Sequence, residues 1–583
     1  MYDHKEFFIN PKHLFQRQYE ALRAFYVEKK AAKQVAFQFG FSVTYFNKLR
    51  SYFHQTLEQG QMPNIFATPN PGRNPKSVET NVKQQVISLR KENHSIVDIK
   101  AILDAKNIYL SQNQIDKILK ADGFARLHRR SKSEKSNIEL PAKIKPPKCR
   151  QLTELDFLHT QKFDTRYGGV FLFLPLMEQL NLARLIERSD YPSTEQLSNL
   201  NYILSFIFLK LIDKKRLSHV EQLSLDRGAG LFAGLNVLPR SSSLSSYSYK
   251  TTRSMNRLLL KSLFNSIHET HSFSGDVNLD FTAIPHWGDV SVLERNWSGT
   301  RHTRLKSILA LVCQDPESGF LIYSDAEVKN RTKDQEVLTF VDFWQECSHQ
   351  PLKCLIFDSK FTTYQNLSLL NRDGIKFITL RRRGSALIRQ AQQLPESQWT
   401  TIKIDKPKRK YSSPKVNESK ISLNGYDGVV RQLIVTNTGR EKPSFIITND
   451  FEMSSKNVLL KYARRWLVEK SIAEQIDFFH LNLVGSSIVV KVDFDLTMTL
   501  IAYSLYKMLA KKIIGFERST AQNLFLDFVD NGAEVKIIDN KIIVLLRKRV
   551  HNSILFETNI FKSPVKIPWL GNLEVVFDSQ NTS

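Results

Sequence analysis

The sequence predicts a multidomain chain of the α + α/β class, and three observations lead there. Its 583 residues suffice for three to five domains at about 150 residues each. Apolar residues recur at helical spacing from the N-terminus to about His271, and from Asp276 the pattern changes to strands alternating with helices. Lys and Arg exceed Asp and Glu by 25. On an otherwise globular composition, a surplus of that size makes a polyanion the first partner to consider.

Composition removes several classes. Gly (22) and Pro (20) are too few for a collagenous or largely disordered chain. The four cysteines, Cys149, Cys313, Cys347 and Cys354, form no C-x-x-C pair, which argues against a disulfide scaffold and a cysteine zinc site. The expected compartment is the reducing cytoplasm. The N-terminus, Met1 to Asn10, lacks a cationic start followed by an apolar run, so no signal peptide is expected. The most apolar stretch, Tyr202 to Ile212, is interrupted by Lys210 and falls well short of the ~20 residues that span a bilayer. No membrane association is expected.

Charge is concentrated at the start. Residues 1–150 carry 27 Lys/Arg against 13 Asp/Glu, as a basic module placed before the main body would. Within 1–60, Ala31 to Leu49 has apolar positions at helical spacing on both sides of Gly40, and Ser42 is placed to cap the second helix. This predicts a helix-turn-helix presenting Thr44, Tyr45, Asn47 and Lys48 to a major groove. A Pro-rich linker, 61–77, follows; its Arg73 and Lys76 are candidates for phosphate or minor-groove contacts. A second tri-helical unit, 78–130, comprises Val78 to Glu92 and two helices opened by Ser95 and Ser111. Two such units resemble a bipartite, paired-type DNA reader. Residues 131–150 read as a basic tether.

Residues 151–272 read as a helical domain, with helices over Val170 to Met177, Tyr202 to Ile212 and Ser254 to Ile267. Strands follow in 273–384. Asp276 to Ile284 alternates; Lys306 to Asp315 and Phe320 to Ser324 form a hairpin across a Pro316-Glu317-Ser318-Gly319 turn. Thr332 to Glu346 reads as a helix, Leu352 to Asp358 as a buried strand, Asn366 to Arg372 as a helix and Lys376 to Leu380 as a strand. Three antiparallel strands, then a helix and parallel strands, is the order of a ribonuclease-H-like sheet. Parallel strands ending in acidic residues gather carboxylates at one edge, where ligands bind.

A further carboxylate comes from Tyr462 to Glu469, read as part of one helix. Tyr462, Arg465 and Glu469 stand at i, i+3 and i+7 and share a face. Glutamate to ligate Mg²⁺, arginine to clamp a phosphate and tyrosine to stack or bond to the backbone suit a metal-dependent phosphodiester enzyme. With these residues the chain resembles insertion-sequence DDE transposases, in particular the branch similar to insertion sequence 4, whose signature is Tyr-x2-Arg-x3-Glu-x6-Lys. Within that resemblance Asp280 stands as the first aspartate, Asp358 as the second and Glu469 as the glutamate, over roughly 151–515. Ile476 occupies the signature's lysine position, and Lys470 is the nearest basic substitute.

The resemblance implies a ribonuclease-H-like catalytic core in two parts, 273–384 and 451–515, flanking a β-rich insertion, 385–450. It leaves 516–583 as a C-terminal region. It also implies two Mg²⁺ ions, replaceable by Mn²⁺, held by Asp280, Asp358 and Glu469 for in-line hydrolysis and strand transfer. Asn330 and Asp334 are candidates to support those ligands, with helix capping the competing role. The expected partners are double-stranded DNA, as transposon ends and target, and a second copy of the chain, at the nucleoid. A DNA-binding regulator that has lost catalysis is the alternative.

Overall fold

A computed structural model describes residues 8, 11, 13–63, 79–92, 94–124, 145–286, 293–298, 303–404, 413–439, 441–483 and 488–579. The chain divides into two compact units, Met1–Lys143 and Ile144–Ser583.

In the first unit, α1 (Leu14–Tyr26), α2 (Ala32–Gln38) and α3 (Val43–Glu58) close on a small core of Leu22, Ala24, Val35, Ala36, Phe39 and Phe46. Gly40 turns the chain between α2 and α3 at φ +67°, a conformation that penalises any Cβ. The Ser42 side chain accepts the N–H of Tyr45 and starts α3. A second trio, α4 (Thr80–Lys91), α5 (Ile96–Ala105) and α6 (Gln112–Ala121), packs around Val86, Ile99, Leu103, Ile115 and Leu119. Capping boxes Ser95/Asp98 and Ser111/Gln114 open α5 and α6. Val78 and the linker residues Arg73 and Lys76 lie outside the described residues.

The second unit opens with β1 (Gln161–Thr165), α7 (Asn199–Leu211) and α8 (Arg253–His271). The reading of 151–272 as a helical domain does not include β1, which pairs with a strand formed by residues 533–537. Neither strand shows that pairing in its local pattern. Next come β2 (Asp276–Pro285), β3 (Arg295–Ser298), β4 (Thr303–Gln314) and β5 (Leu321–Val328). After α9 (Glu336–Cys347), β6 (Cys354–Ile356), α10 (Tyr364–Arg372) and β7 (Lys376–Leu380) complete the central run. Strand β4 lies antiparallel to β2 and β5, whereas β6 is parallel to β2 and to β7.

The interval read as a β-rich insertion supplies β8 (Thr400–Thr401), β9 (Lys415–Ser422), β10 (Val429–Thr436) and β11 (Ser444–Thr448). These strands extend the same sheet, because β11 pairs directly with β7. The whole order is β3-β4-β2-β6-β7-β11-β10-β9-β8, with β5 on β4. Helices α11 (Ser455–Arg464) and α12 (Trp466–Asp477) follow, then α13 (Val489–Lys512). Residues after α13 build β12 (Ala533–Ile538), β13 (Lys541–Leu546), β14 (Val565–Ile567) and β15 (Leu573–Ser579), a second sheet ordered β1-β12-β13-β15-β14.

Helix α13 is buried around its circumference from Val492 to Ala510 apart from a few positions, the pattern of a central core helix. Among the described residues no helix is long and apolar enough to cross a membrane. Where α13 meets α8 and β5, Arg253 bonds Asp493 at 2.9 and 3.1 Å, Asp325 at 2.8 Å and the Tyr323 hydroxyl at 3.0 Å. Asn256 also donates to Asp493, at 2.6 Å. This buried network fastens α13 to the central sheet.

Candidate active site

Strand β2 carries Asp280 opposite Val312 of β4. Strand β6 ends two residues before Asp358, and its Ile356 pairs with Asn278 of β2. Parallel pairing therefore brings both aspartates to one edge of the sheet. An aromatic stack holds the second in place. Phe281, next to Asp280, lies on Phe361 with centroids 3.8 Å apart and planes 5° from parallel. The turn from Asp358 to Phe361 is closed by Phe361 N–H donating to the Asp358 carbonyl at 3.2 Å. The Asp358 carboxylate accepts the Ser359 N–H at 2.7 Å.

Helices α11 and α12 are laid against the same region by polar ties. Asn278, fully buried on β2, donates to the Arg464 carbonyl at 3.2 Å. Lys461 pairs with Asp276 at 2.6 Å, and Arg464 donates to the Pro316 carbonyl at 2.9 Å. Gln314 of β4 donates to Ser471 at 2.6 Å. Val468, Ser471, Ile472 and Gln475 form the buried face of α12, which leaves Glu469 at the sheet edge. The continuous helix read through Tyr462 to Glu469 is interrupted at Arg465, where i to i+3 bonds replace the α-helical ones.

At that junction Arg465 joins the site. Its guanidinium donates to Asp280 at 3.3 Å and to Glu469 at 2.5 Å, and lies 5.8 Å from the Tyr462 ring centroid. Its Nε is buried without a hydrogen-bond partner. Burial pushes the Asp280 carboxyl up to about 6; Arg465 opposes the rise, while Glu469 and Asp358 add to it. Thus the structure brings together Asp280, Asp358, Tyr462, Arg465 and Glu469. Among the described residues no three His, Cys, Asp or Glu side chains converge closely enough to hold a metal ion. The donor set is nonetheless all carboxylate oxygen, the chemistry a hard divalent cation takes, and Arg465 supplies the positive charge between Asp280 and Glu469.

Other candidates sit elsewhere. Asn330 donates to Asn296 at 2.7 Å and, through its N–H, to Glu294 at 2.9 Å, tying the end of β5 to β3. The Asp334 carbonyl accepts from Asn366 at 2.7 Å, anchoring α10. Lys470 is exposed and faces Lys507 of α13, whose ammonium is pushed down mainly by burial. Trp466, an aromatic that helix patterning would turn inward to the sheet, is 54% exposed. In the first unit Thr44, Tyr45, Asn47 and Lys48 are all exposed on α3, and Tyr45 accepts from Gln18 at 2.6 Å. Sequence reasoning missed Asn278, Phe281 and Phe361 as positioning residues. The one available signal was an aromatic one and three places after the two aspartates.

No curated protein matches the chain. A solved structure described as a cryo-EM structure of the piggyBac transposase synaptic complex with hairpin DNA is similar to it with a TM-score of 0.33. That match is at 10% identity over 63% of this chain and 82% of that one. Residues 280–505, a stretch that starts at Asp280 and ends within α13, match the family described as the transposase DDE domain.

Proposed function

We propose that the protein is the transposase of a DNA insertion sequence, of the branch similar to insertion sequence 4. In this reading it binds terminal inverted repeats and performs metal-dependent strand cleavage and strand transfer. The observation that carries the reading is that Arg465 bonds both Asp280 and Glu469, with Asp358 near enough to raise the Asp280 carboxyl further, inside the matched stretch. The Tyr462-x2-Arg465-x3-Glu469 spacing supports the branch. The strand order β5-β4-β2-β6-β7, antiparallel then parallel, supports a ribonuclease-H-like core. Two capped tri-helical units with an exposed α3 support the role of the first 130 residues as helix-turn-helix readers of double-stranded DNA.

Asp280, Asp358 and Glu469 are the residues that would hold divalent cations, Mg²⁺ or Mn²⁺. Bound there, such ions supply Lewis acidity and a nucleophile at neutral pH. The chain's own contribution is positional. Arg465 fixes Asp280 and Glu469 on one guanidinium, and its other N–H donors would be the ones to take a phosphate oxygen. Tyr462 backs that guanidinium. A second copy of the chain is proposed in the active complex, one for each element end.

The test is a nicking and strand-joining assay on DNA bearing the element's terminal repeats. Asp358→Asn is expected to remove both activities and to keep DNA binding, since an amide is a poorer ligand for a hard cation. Substantial residual nicking by that variant in Mg²⁺ or Mn²⁺ contradicts the assignment of Asp358.

A further inference from the structure

The strand that carries Asp280 belongs to a sheet that does not stop at the catalytic edge. Strand β6 ends at Ile356, opposite Asn278. Strands β2 and β4 stay paired as far as Pro285 and Ser307, and β4 then continues in a two-stranded ribbon with β3. Its register pairs Arg295 with Lys306 and Trp297 with Arg304. Directly opposed residues share a face, as do alternate residues along one strand. One face of the ribbon therefore presents Arg295, Trp297, Arg304 and Lys306. Arg295 and Arg304 are exposed, and Trp297 is 54% exposed.

Asn296 points to the other face, where it is buried and donates to the Ser307 carbonyl at 3.0 Å. The neighbouring acid, Glu294, accepts from the Asn330 N–H at 2.9 Å. Charge alone would only guard a sheet edge against pairing. An indole left open between two arginines does nothing for that purpose, and it adds an apolar, stacking surface to a cationic one.

We infer that this ribbon is a second DNA-binding surface, gripping the backbone of the same duplex whose phosphate is cut at Asp280. From Val312, opposite Asp280, to Arg304 is about 27 Å at ~3.4 Å per residue along β4. A duplex advancing ~3.4 Å per base pair would meet the ribbon about eight base pairs from the reacting phosphate. Arg295 and Arg304 take phosphates, and Trp297 packs against the sugar edge between them. This rests on the reading of the chain as an enzyme acting on DNA.

The experiment is a titration of the full chain with a terminal-repeat duplex over a range of salt. With two phosphates left unneutralised, the log–log slope of the Arg295→Ala/Arg304→Ala variant should be shallower by about 1.8. Restoring one charge, as Arg295→Ala with Arg304→Lys, should recover about half of that difference. Trp297→Leu should weaken binding severalfold at an unchanged slope. If the double alanine variant, folded by circular dichroism, keeps the wild-type slope, the ribbon does not touch DNA and the inference falls while the transposase reading stands. If the wild-type chain shows no salt-dependent binding, the transposase reading fails first, and the inference with it.

Discussion

Arg465 reaches a carboxylate with each Nη nitrogen, and the next acid along the helix goes a different way. Glu469 takes the Arg465 bond at the sheet edge, whereas Glu474 accepts the Ala521 N–H at the start of a short helix, Ala521–Leu524. Five helical positions separate the two acids by a net rotation of about 140°. Glu469→Gln is therefore expected to abolish hydrolysis and strand transfer. Glu474→Gln keeps an oxygen for Ala521 and should stay within about tenfold, roughly 1.4 kcal/mol in barrier. Single-turnover cleavage of a pre-bound end substrate at saturating Mg²⁺ separates them, and the reverse ranking would overturn the assignment of Glu469. At this scale the sequence was informative, because i, i+3, i+7 spacing survives the break at Arg465. Trp466 shows where local pattern stops: an amphipathic helix would turn an aromatic inward, and here Val468 and Ile472 take that face instead.

Elements are held in place by interactions that no local pattern announces. The Arg253 network joins α8, β5 and α13 through residues more than 70 positions apart in the chain. Asp493 is fully buried and Arg253 nearly so. Arg253→Met should cost about 3–5 kcal/mol, since it strands two buried carboxylates. A denaturant titration at neutral pH measures this, and a loss below 1 kcal/mol or so would show that water or another cation replaces the arginine. Glu336, at the start of α9, reports on the same cluster: burial pushes its carboxyl up to about 7, Asp325 adds to the rise and Arg253 opposes it.

A carboxyl raised on folding stabilises below its unfolded value and loses that contribution as pH climbs through the folded one. Wild type should thus lose stability between about pH 4.5 and 7 through this group. Glu336→Gln should melt higher than wild type at pH 8 and equally at pH 4; equal melting at both would exclude Glu336 as the source. The same limit of local patterns explains the C-terminal sheet. Strands β1 and β12 pair across more than 360 residues, so 516–583 read as an unassigned region. The β-rich character of 385–450 was legible, but strand β9 and the merger with the central sheet through β11 and β7 were not.

The whole molecule separates into a basic N-terminal unit and a body that carries its own core, both sheets and every candidate catalytic residue. Charge made the division legible, with most of the net surplus of 25 placed in the first 150 residues. A core that closes without the first unit predicts independent folding. Removing 1–143 should leave a body that melts in one cooperative transition near the temperature of its counterpart in the intact chain. The same truncation should abolish the preference for terminal-repeat DNA over random DNA, because Thr44, Tyr45, Asn47 and Lys48 go with it. General affinity should fall as well, and its dependence on salt should become shallower by about 0.9 in log–log slope for each phosphate no longer neutralised. Calorimetry of both proteins tests the first expectation, and a competition shift assay at two salt concentrations tests the second. A truncated protein that still selects the repeat over random duplex would move sequence recognition out of the tri-helical units and into the body.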